Sequence, residues 1–322
     1  MVPPRIVRRL VFTPLLFLLT ALVVVLFPAA YLVTSLTGRE RRRARRLLWF
    51  ALAWGTRESA AVVECGWLWL RGRARDDRHY DVIRRYIAGL YSTAQRRLGL
   101  RVQVDGSRDG PDADRPLIVL SRHAGPGDAL LLVHHLLSVY GRRPRVVMKA
   151  LLQLDPCIDI AAGRMPNVFV TPGGGAAEDI GRLASGLGPR DALLIFPEGG
   201  NFTPERRRRA IRRLVRLRRR DEAARAAAMP HLMPPRPGGV LAALDAAPSA
   251  DVVFVAHCGL EGMTTAGEIW RRVPLTGAVR ARWWRVPAAD VPGGRDARVA
   301  WLYDQWERAD AWIGSHQETA PK

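Results

Sequence analysis

Cysteine is scarce in this 322-residue sequence, and what there is lies scattered at Cys65, Cys157 and Cys258. An odd, widely spaced set without a C-x-x-C pair argues against a disulfide framework or a structural zinc site and suits a reducing compartment. Acidic residues are also in short supply. Lysine plus arginine total 50 against 30 aspartate plus glutamate, for a formal net charge of +20. That excess implies a polyanionic partner: nucleic acid, an anionic membrane surface or a phosphate-rich substrate. No internal repeat, no recognised nucleic-acid module and no cluster with metal-ligand spacing is present. Neither nucleic acid nor a metal is expected as a partner.

Charge of either sign is missing altogether between Arg9 and Arg39, a stretch dominated by Leu, Val, Phe and Ala. A membrane span needs about 20 apolar residues, so this segment is long enough, and it is longer than the apolar core of a signal peptide. Pro14 and Pro28 allow a kink or a re-entrant hairpin. Six arginines follow (Arg39, Arg41, Arg42, Arg43, Arg45 and Arg46) and place that end on the cytoplasmic face, where they meet anionic head groups. Residues 47 to 70 are apolar and rich in Trp (Trp49, Trp54, Trp67, Trp69) but interrupted by Arg57 and Glu58. They read as an interfacial or partly inserted helix, with a buried helix of the soluble domain as the alternative. Residues 1–70 are therefore expected to be a membrane anchor with interfacial helices.

Residues 71 to 100 carry Tyr80, Ile83, Ile87 and Leu90 at helical spacing. Beyond residue 100, short apolar runs at 117–120, 145–148, 168–170, 193–196 and 251–256 alternate with stretches of helical period such as 130–139. That alternation predicts an α/β fold: a mixed, largely parallel sheet flanked by helices and preceded by the membrane-embedded helical segment. Turns are expected at Gly173–Gly175 and Pro234–Gly239. A helix holding Trp301, Tyr303, Trp306 and Trp312 should pack on the domain. The domain is taken as 71–315, with 316–322 as a tail. Residues 206–220 contain ten arginines around an apolar stripe of Ala210, Ile211, Leu214, Val215 and Leu217. This basic amphipathic helix is expected either to pack on the domain with a solvated basic face or to lie on anionic lipid.

Two constellations carry candidate chemistry. The first, Ser121-Arg122-His123-Ala124-Gly125-Pro126-Gly127-Asp128, follows a strand-like run. On a regular helix His123 and Asp128 would point about 140° apart, but a loop through Gly125, Pro126 and Gly127 lets the carboxylate fold back onto the imidazole. Asp128 would then fix the tautomer, leaving the other nitrogen to take a proton from a hydroxyl. The second, Phe196-Pro197-Glu198-Gly199-Gly200-Asn201-Phe202, also follows a strand-like run. Catalytic groups in open α/β sheets gather beyond the carboxyl ends of strands. Glu198 is placed either to bind acceptor hydroxyls or to orient groups around the His. Ser121 lacks a nucleophile elbow. His134 and His135 read as structural, and His257 ends a strand near enough to line the site.

In this order and separation the motifs resemble the lysophospholipid acyltransferase family that includes 1-acylglycerol-3-phosphate acyltransferases, marked by H-x4-D and then F-P-E-G. Leu232-Met233-Pro234-Pro235-Arg236-Pro237-Gly238-Gly239 resembles the proline-containing block of the branch that includes lysocardiolipin and lysophosphatidylinositol acyltransferases. The resemblance covers roughly residues 100–260. It implies direct transfer of a fatty acyl group from acyl-CoA or acyl-carrier protein to a lysophospholipid hydroxyl, with no cofactor, no metal and no acyl-enzyme. His123 would be the base, Asp128 its orienter, and Glu198, Gly199 and Gly200 part of the acceptor site. There are departures. Arg122 stands where a small polar residue is usual, Gly200 where Thr or Ser is usual, and the strand at 168–170 lacks the usual phosphate-gripping Arg. Arg122, Lys149, Arg164 and Arg236 are the candidates to bind substrate in its place. Glycerol-3-phosphate, a glycolipid or an aminolipid would serve the same chemistry. The rival from another class is a non-catalytic, membrane-tethered basic binding protein. The expected location is the membrane, with the catalytic domain on the cytoplasmic face.

Overall fold

The structure is a computed structural model that describes residues 2–35, 38–105, 115–125, 127–171, 175–263 and 265–317. Helix α1 (Arg5–Ser35) runs unbroken through Pro14 and Pro28 and buries none of its residues. The chain turns back into α2 (Arg39–Leu70), which takes up the arginine cluster in its first turns. The reversal therefore lies between the helices and not at either proline. The two helices pack closely at Gly55, where an added Cβ would come within 2.8 Å of Thr20 Oγ1. Phe27 meets the edge of Trp49, with ring centres 4.7 Å apart.

This hairpin is tied to the rest of the chain at both ends. Arg8 and Arg9 bond the Asp159 carboxylate at 2.5 and 2.8 Å. At the other end Arg43 donates to the Val273 carbonyl at 3.0 Å, and Trp270 donates to Glu40 at 2.8 Å. A helix that left the domain to cross a bilayer would keep only one such end. By length and composition α1 is able to cross a membrane, yet it lies along the domain.

Helix α3 (Arg78–Thr93) buries Tyr80, Ile83, Ile87 and Leu90, the four positions read from helical spacing. The chain then forms β1 (Val102–Asp105), β2 (Leu117–Ser121), α4 (Asp128–His134), β3 (Arg143–Lys149), α5 (Pro156–Ile160), β4 (Val168–Val170), α6 (Ala176–Ser185) and β5 (Asp191–Ile195). There follow α7 (Pro204–Arg216), α8 (Arg220–Ala228), α9 (Pro237–Ala246), β6 (Asp251–Cys258), α10 (Ala266–Arg272), β7 (Val279–Val286) and α11 (Arg295–Gln317). The strands form one sheet in the order β1-β7-β6-β2-β5-β3-β4. Every pairing is parallel except β6 with β7, so the sheet is mixed and largely parallel, as the sequence predicts.

Strands β2 and β5 are buried throughout, as apolar runs covered on both faces must be. Alternation along β2 divides the core. Ile118 and Leu120 join a cluster with α6, α9 and α11, while Leu117 and Val119 join one with α2, α3 and α5. Trp306 and Tyr303 of α11 are fully buried. The basic stretch 206–220 is not one helix: it breaks at Arg218, which adopts φ 58° between α7 and α8. Leu214 is buried, but Val215 and Leu217 are 57% and 56% exposed, so the apolar stripe reaches the domain only in part. Gly173 and Gly174 of the expected turn, Pro126 of the first constellation and residues 318–322 of the tail lie outside the described residues. The cysteines are buried and free.

Candidate active site

The site forms at the carboxyl ends of β2 and β5, neighbours at the centre of the sheet. Parallel strands bring their carboxyl ends to one edge, where the loops that leave them meet. The loop after β2 carries His123, and Asp128 opens α4. The His123 ring nitrogen Nδ1 lies 3.3 Å from Asp128 Oδ2. The same oxygen accepts the backbone N–H groups of Ala124 at 2.5 Å and Gly125 at 2.7 Å. The loop has folded back as the spacing requires, with the carboxylate as its pin.

Asp128 has a fully buried side chain, whereas that of His123 is 16% exposed. Burial alone would raise the carboxyl pKa. The His257 imidazole, 3.7 Å away, the bonds from His123 and Gly125 and the nearness of the His123 ring outweigh it and hold the pKa below the usual range. An ionised carboxylate only accepts, so Nδ1 carries the proton and Nε2 keeps its lone pair for substrate. The His123 ring also rests on Phe196, with centres 4.5 Å apart. His257 sits behind Asp128 as a buried neighbour, its pKa lowered chiefly by burial.

Glu198 is buried and uses both oxygens on backbone: Oε2 accepts from the N–H of His123 at 2.8 Å and Oε1 from the N–H of Met233 at 3.0 Å. Of the two roles open to it, these bonds support the orienting one, since they join the loops after β2, after β5 and before α9. Two backbone bonds, Phe202 N–H to His123 O at 2.7 Å and Arg236 N–H to Pro197 O at 2.9 Å, complete the join. Trp306 of α11 supports it by donating to the Met233 carbonyl at 3.0 Å.

Burial pushes the Glu198 pKa up to about 8, against the two backbone donors. An unfolded chain releases that proton near 4.5, so the folded state holds the extra proton between those values. The stability this group contributes is complete below pH 4.5 and is lost as pH rises through about 8. Glu198→Gln puts an amide donor against a backbone donor and should cost about 1–3 kcal/mol. Thermal melts across that window should show a steeper fall with pH in the wild type than in the variant.

Gly199 adopts φ 68°, and an added Cβ would stand 2.9 Å from the Arg236 guanidinium. At Gly200 a Cβ would lie 3.4 Å from Arg206 Nη1 and 3.8 Å from Lys149 Nζ. The two glycines thus leave open a space bordered by Lys149, Arg206 and Arg236. None of the three has a carboxylate partner among the described residues. Burial, then Arg206 and Arg236, lower the Lys149 pKa. Arg206 is the member that sequence reasoning did not single out: it lies inside the arginine run, where nothing in the pattern separates it from its neighbours.

Two candidates lie elsewhere. Arg122 is 1% exposed. Its guanidinium bonds the His257 carbonyl at 2.6 Å, the His231 carbonyl at 3.2 Å and the Glu261 carboxylate, so it ties loops together beneath the site. Arg164 donates to the Cys65 carbonyl at 2.6 Å and meets His79 at 3.2 Å, next to the hairpin and apart from the Lys149 group. His134 stacks on Tyr91 with centres 4.1 Å apart, and His135 Nδ1 bonds the Leu131 carbonyl at 2.8 Å; both are structural.

A family model described as Acyltransferase matches residues 101–257, which hold the whole His123–Asp128 and Glu198 arrangement. Residues 101–257 form an acyltransferase domain. Among solved structures, the acyltransferase is similar to the 1-acyl-sn-glycerophosphate (LPA) acyltransferase PlsC from Thermotoga maritima, at 17% identity and a TM-score of 0.57. The similarity covers 87% of this acyltransferase and 100% of that chain, and at such identity it is one of fold. No curated protein matches the sequence. In this acyltransferase the imidazole is held by Asp128.

Proposed function

We propose that this acyltransferase moves a fatty acyl group from acyl-CoA or acyl-carrier protein to the free hydroxyl of a phosphate-bearing lysophospholipid such as 1-acylglycerol-3-phosphate. The observation that carries the reading is the placement of Lys149, Arg206 and Arg236 around Gly199 and Gly200, beside a base held by Asp128. His123 Nε2 takes the proton of the acceptor hydroxyl as its oxygen attacks the thioester carbonyl. The tetrahedral adduct collapses to an ester and expels the thiolate, which recovers the proton from the imidazolium. No protein nucleophile is required. The acceptor phosphate would occupy the space the two glycines leave, since cations without carboxylate partners favour a dianionic group. The hairpin supports residence at a membrane surface, with the apolar face of α1 sunk into one leaflet and the arginine cluster among cytoplasmic head groups.

A narrow apolar cavity of about 90 Å³ reaches Asp128 and His257 and is lined by Leu132, Leu136, Val255, Ala281 and Trp283 among others. It suits the acyl chain. Ala281→Leu should shorten the preferred chain, each excluded methylene costing about fourfold in kcat/KM, since burial of one is worth about 0.8 kcal/mol. Competition among acyl-CoA donors of graded length checks this, and an unchanged preference would remove the cavity from the acyl path.

The acceptor assignment is tested with purified protein in detergent, labelled acyl-CoA and a panel of acceptors: 1-acylglycerol-3-phosphate, glycerol-3-phosphate, lysophosphatidylcholine and monoacylglycerol. Esterification of the phosphomonoester lysolipid above the others is expected. A preference for monoacylglycerol would reject the phosphate site. Salt-sensitive nucleic-acid retention without turnover would favour the binding-protein rival.

A further inference from the structure

A second gathering of positive charge lies apart from the reaction centre. A recess of about 580 Å³ opens where the start of α1 meets the end of α2, lined by Arg5, Arg9, Trp69, Arg75 and Arg164. None of His123, Glu198, Lys149, Arg206 or Arg236 lines it. Negative charge here falls short of positive. Asp159 is shared between Arg8 and Arg9, and Arg164 bonds a carbonyl and an imidazole. Among the described residues Arg5 and Arg75 have no carboxylate partner. Burial first, and then Arg9 and Arg5, lower the Arg164 pKa, which marks these guanidinia as close enough to repel one another. Like charges held together around an open volume are stabilised by an anion, and guanidinium forks match phosphate oxygens.

The neighbouring helix surface says which anion. Trp69 and Trp67 are 59% and 54% exposed, and Ile6 and Leu10, at the start of α1, are 73% and 72% exposed. The recess therefore sits at the boundary between an apolar helix face and a polar domain, the level of lipid head groups. Arg5 also stands at the amino end of a 31-residue helix, where the helix dipole favours negative charge. We propose that Arg5, Arg9, Arg75 and Arg164 form a second anion site that holds the phosphate of an anionic membrane phospholipid, with its acyl chains laid along α1. The bound lipid is a resident of the hairpin and not a reactant, and the site stands independently of the acceptor assignment.

The test uses the full chain in detergent micelles with phosphatidylglycerol as the probe, phosphatidylcholine as the uncharged comparison and inorganic phosphate as the competitor. Native mass spectrometry reads retained lipid, and sedimentation with vesicles of the same lipids reads affinity. Arg5→Ala/Arg75→Ala removes two exposed, unpaired side chains, so the fold should persist by circular dichroism. Loss of the retained phosphatidylglycerol and a fall of about 30-fold in vesicle affinity are expected, at roughly tenfold or less per arginine. Arg208→Ala/Arg212→Ala, on the exposed face of α7, removes equal charge and should leave the retained lipid in place. Equal loss in the two double variants would show diffuse attraction and overturn the site. Retention of phosphatidylcholine equal to that of phosphatidylglycerol, or displacement of the lipid by inorganic phosphate at matched concentration, would overturn the lipid assignment. Acyl transfer to a short-chain soluble acceptor should survive Arg5→Ala/Arg75→Ala, so failure here is separable from failure of the acyltransferase mechanism.

Discussion

His123→Ala should lower acyl transfer by about 10²–10⁴-fold, the usual contribution of a positioned general base, while the protein stays folded. The ring is partly exposed, and its Nδ1 bond to Asp128 is one of three on the same oxygen, so its removal leaves the loop pinned. Asp128 separates the two roles further. Asp128→Asn keeps an oxygen for the Ala124 and Gly125 donors but loses the charge that favours the Nδ1 proton, so rate should fall with modest change in stability. Asp128→Ala leaves those two buried donors unpaired, at about 1–3 kcal/mol each, and should lose both rate and stability. Rates at saturating acceptor together with melting temperatures give the comparison. Equal stability of the Asn and Ala variants would mean that the carboxylate does not pin the loop.

Lys149→Ala and Arg236→Ala should each reduce kcat/KM for 1-acylglycerol-3-phosphate by about 10–100-fold, since hydrogen bonds to charged groups are worth about 1.5–3 kcal/mol. The loss should fall mainly on KM, because the phosphate is bound equally in the ground and transition states. An acceptor without phosphate should be affected far less. The two effects need not add, as both cations would touch one ligand. Lys149 and Lys322 are the chain's lysines, and Lys149 is the one that ends β3 and borders Gly200. Gly199→Ala offers a backbone version of the same experiment, since the φ of 68° and the close Arg236 guanidinium both oppose a side chain.

The central parallel strands were legible in the sequence because burial on both faces leaves an uninterrupted apolar run, as in Leu117–Leu120 and Leu193–Ile195. β1 and β7 were not. β1 is four residues long and largely exposed, and β7 is interrupted by Arg280, Arg282 and Arg285, which hide its alternation. The arginine run looked like one helix because an apolar repeat continues past Arg216, whereas no local pattern announces the positive φ at Arg218.

The His123–Asp128 pair was readable because five residues with glycines between them have few ways to fold. Arg122 was not readable as a structural residue, since its partner Glu261 lies 139 positions away and no local pattern links them. The large Arg at a position where the family usually has a small polar residue is explained by the three loops it ties together. Glu198 was found by its motif, but its role came from the two backbone donors that only the tertiary fold brings to it. Arg164 follows an apolar segment much as a phosphate ligand would, and only the packing of α5 against the hairpin places it beside Arg5 and Arg9.

The most direct measurement is the rate at which the full chain in detergent transfers a labelled acyl group from acyl-CoA to 1-acylglycerol-3-phosphate, with His123→Ala run beside it. A diacyl product from the wild type that disappears in the variant is the expected result. Equal product from both proteins, or thioester hydrolysis without an esterified acceptor, would contradict an imidazole acting on the acceptor hydroxyl.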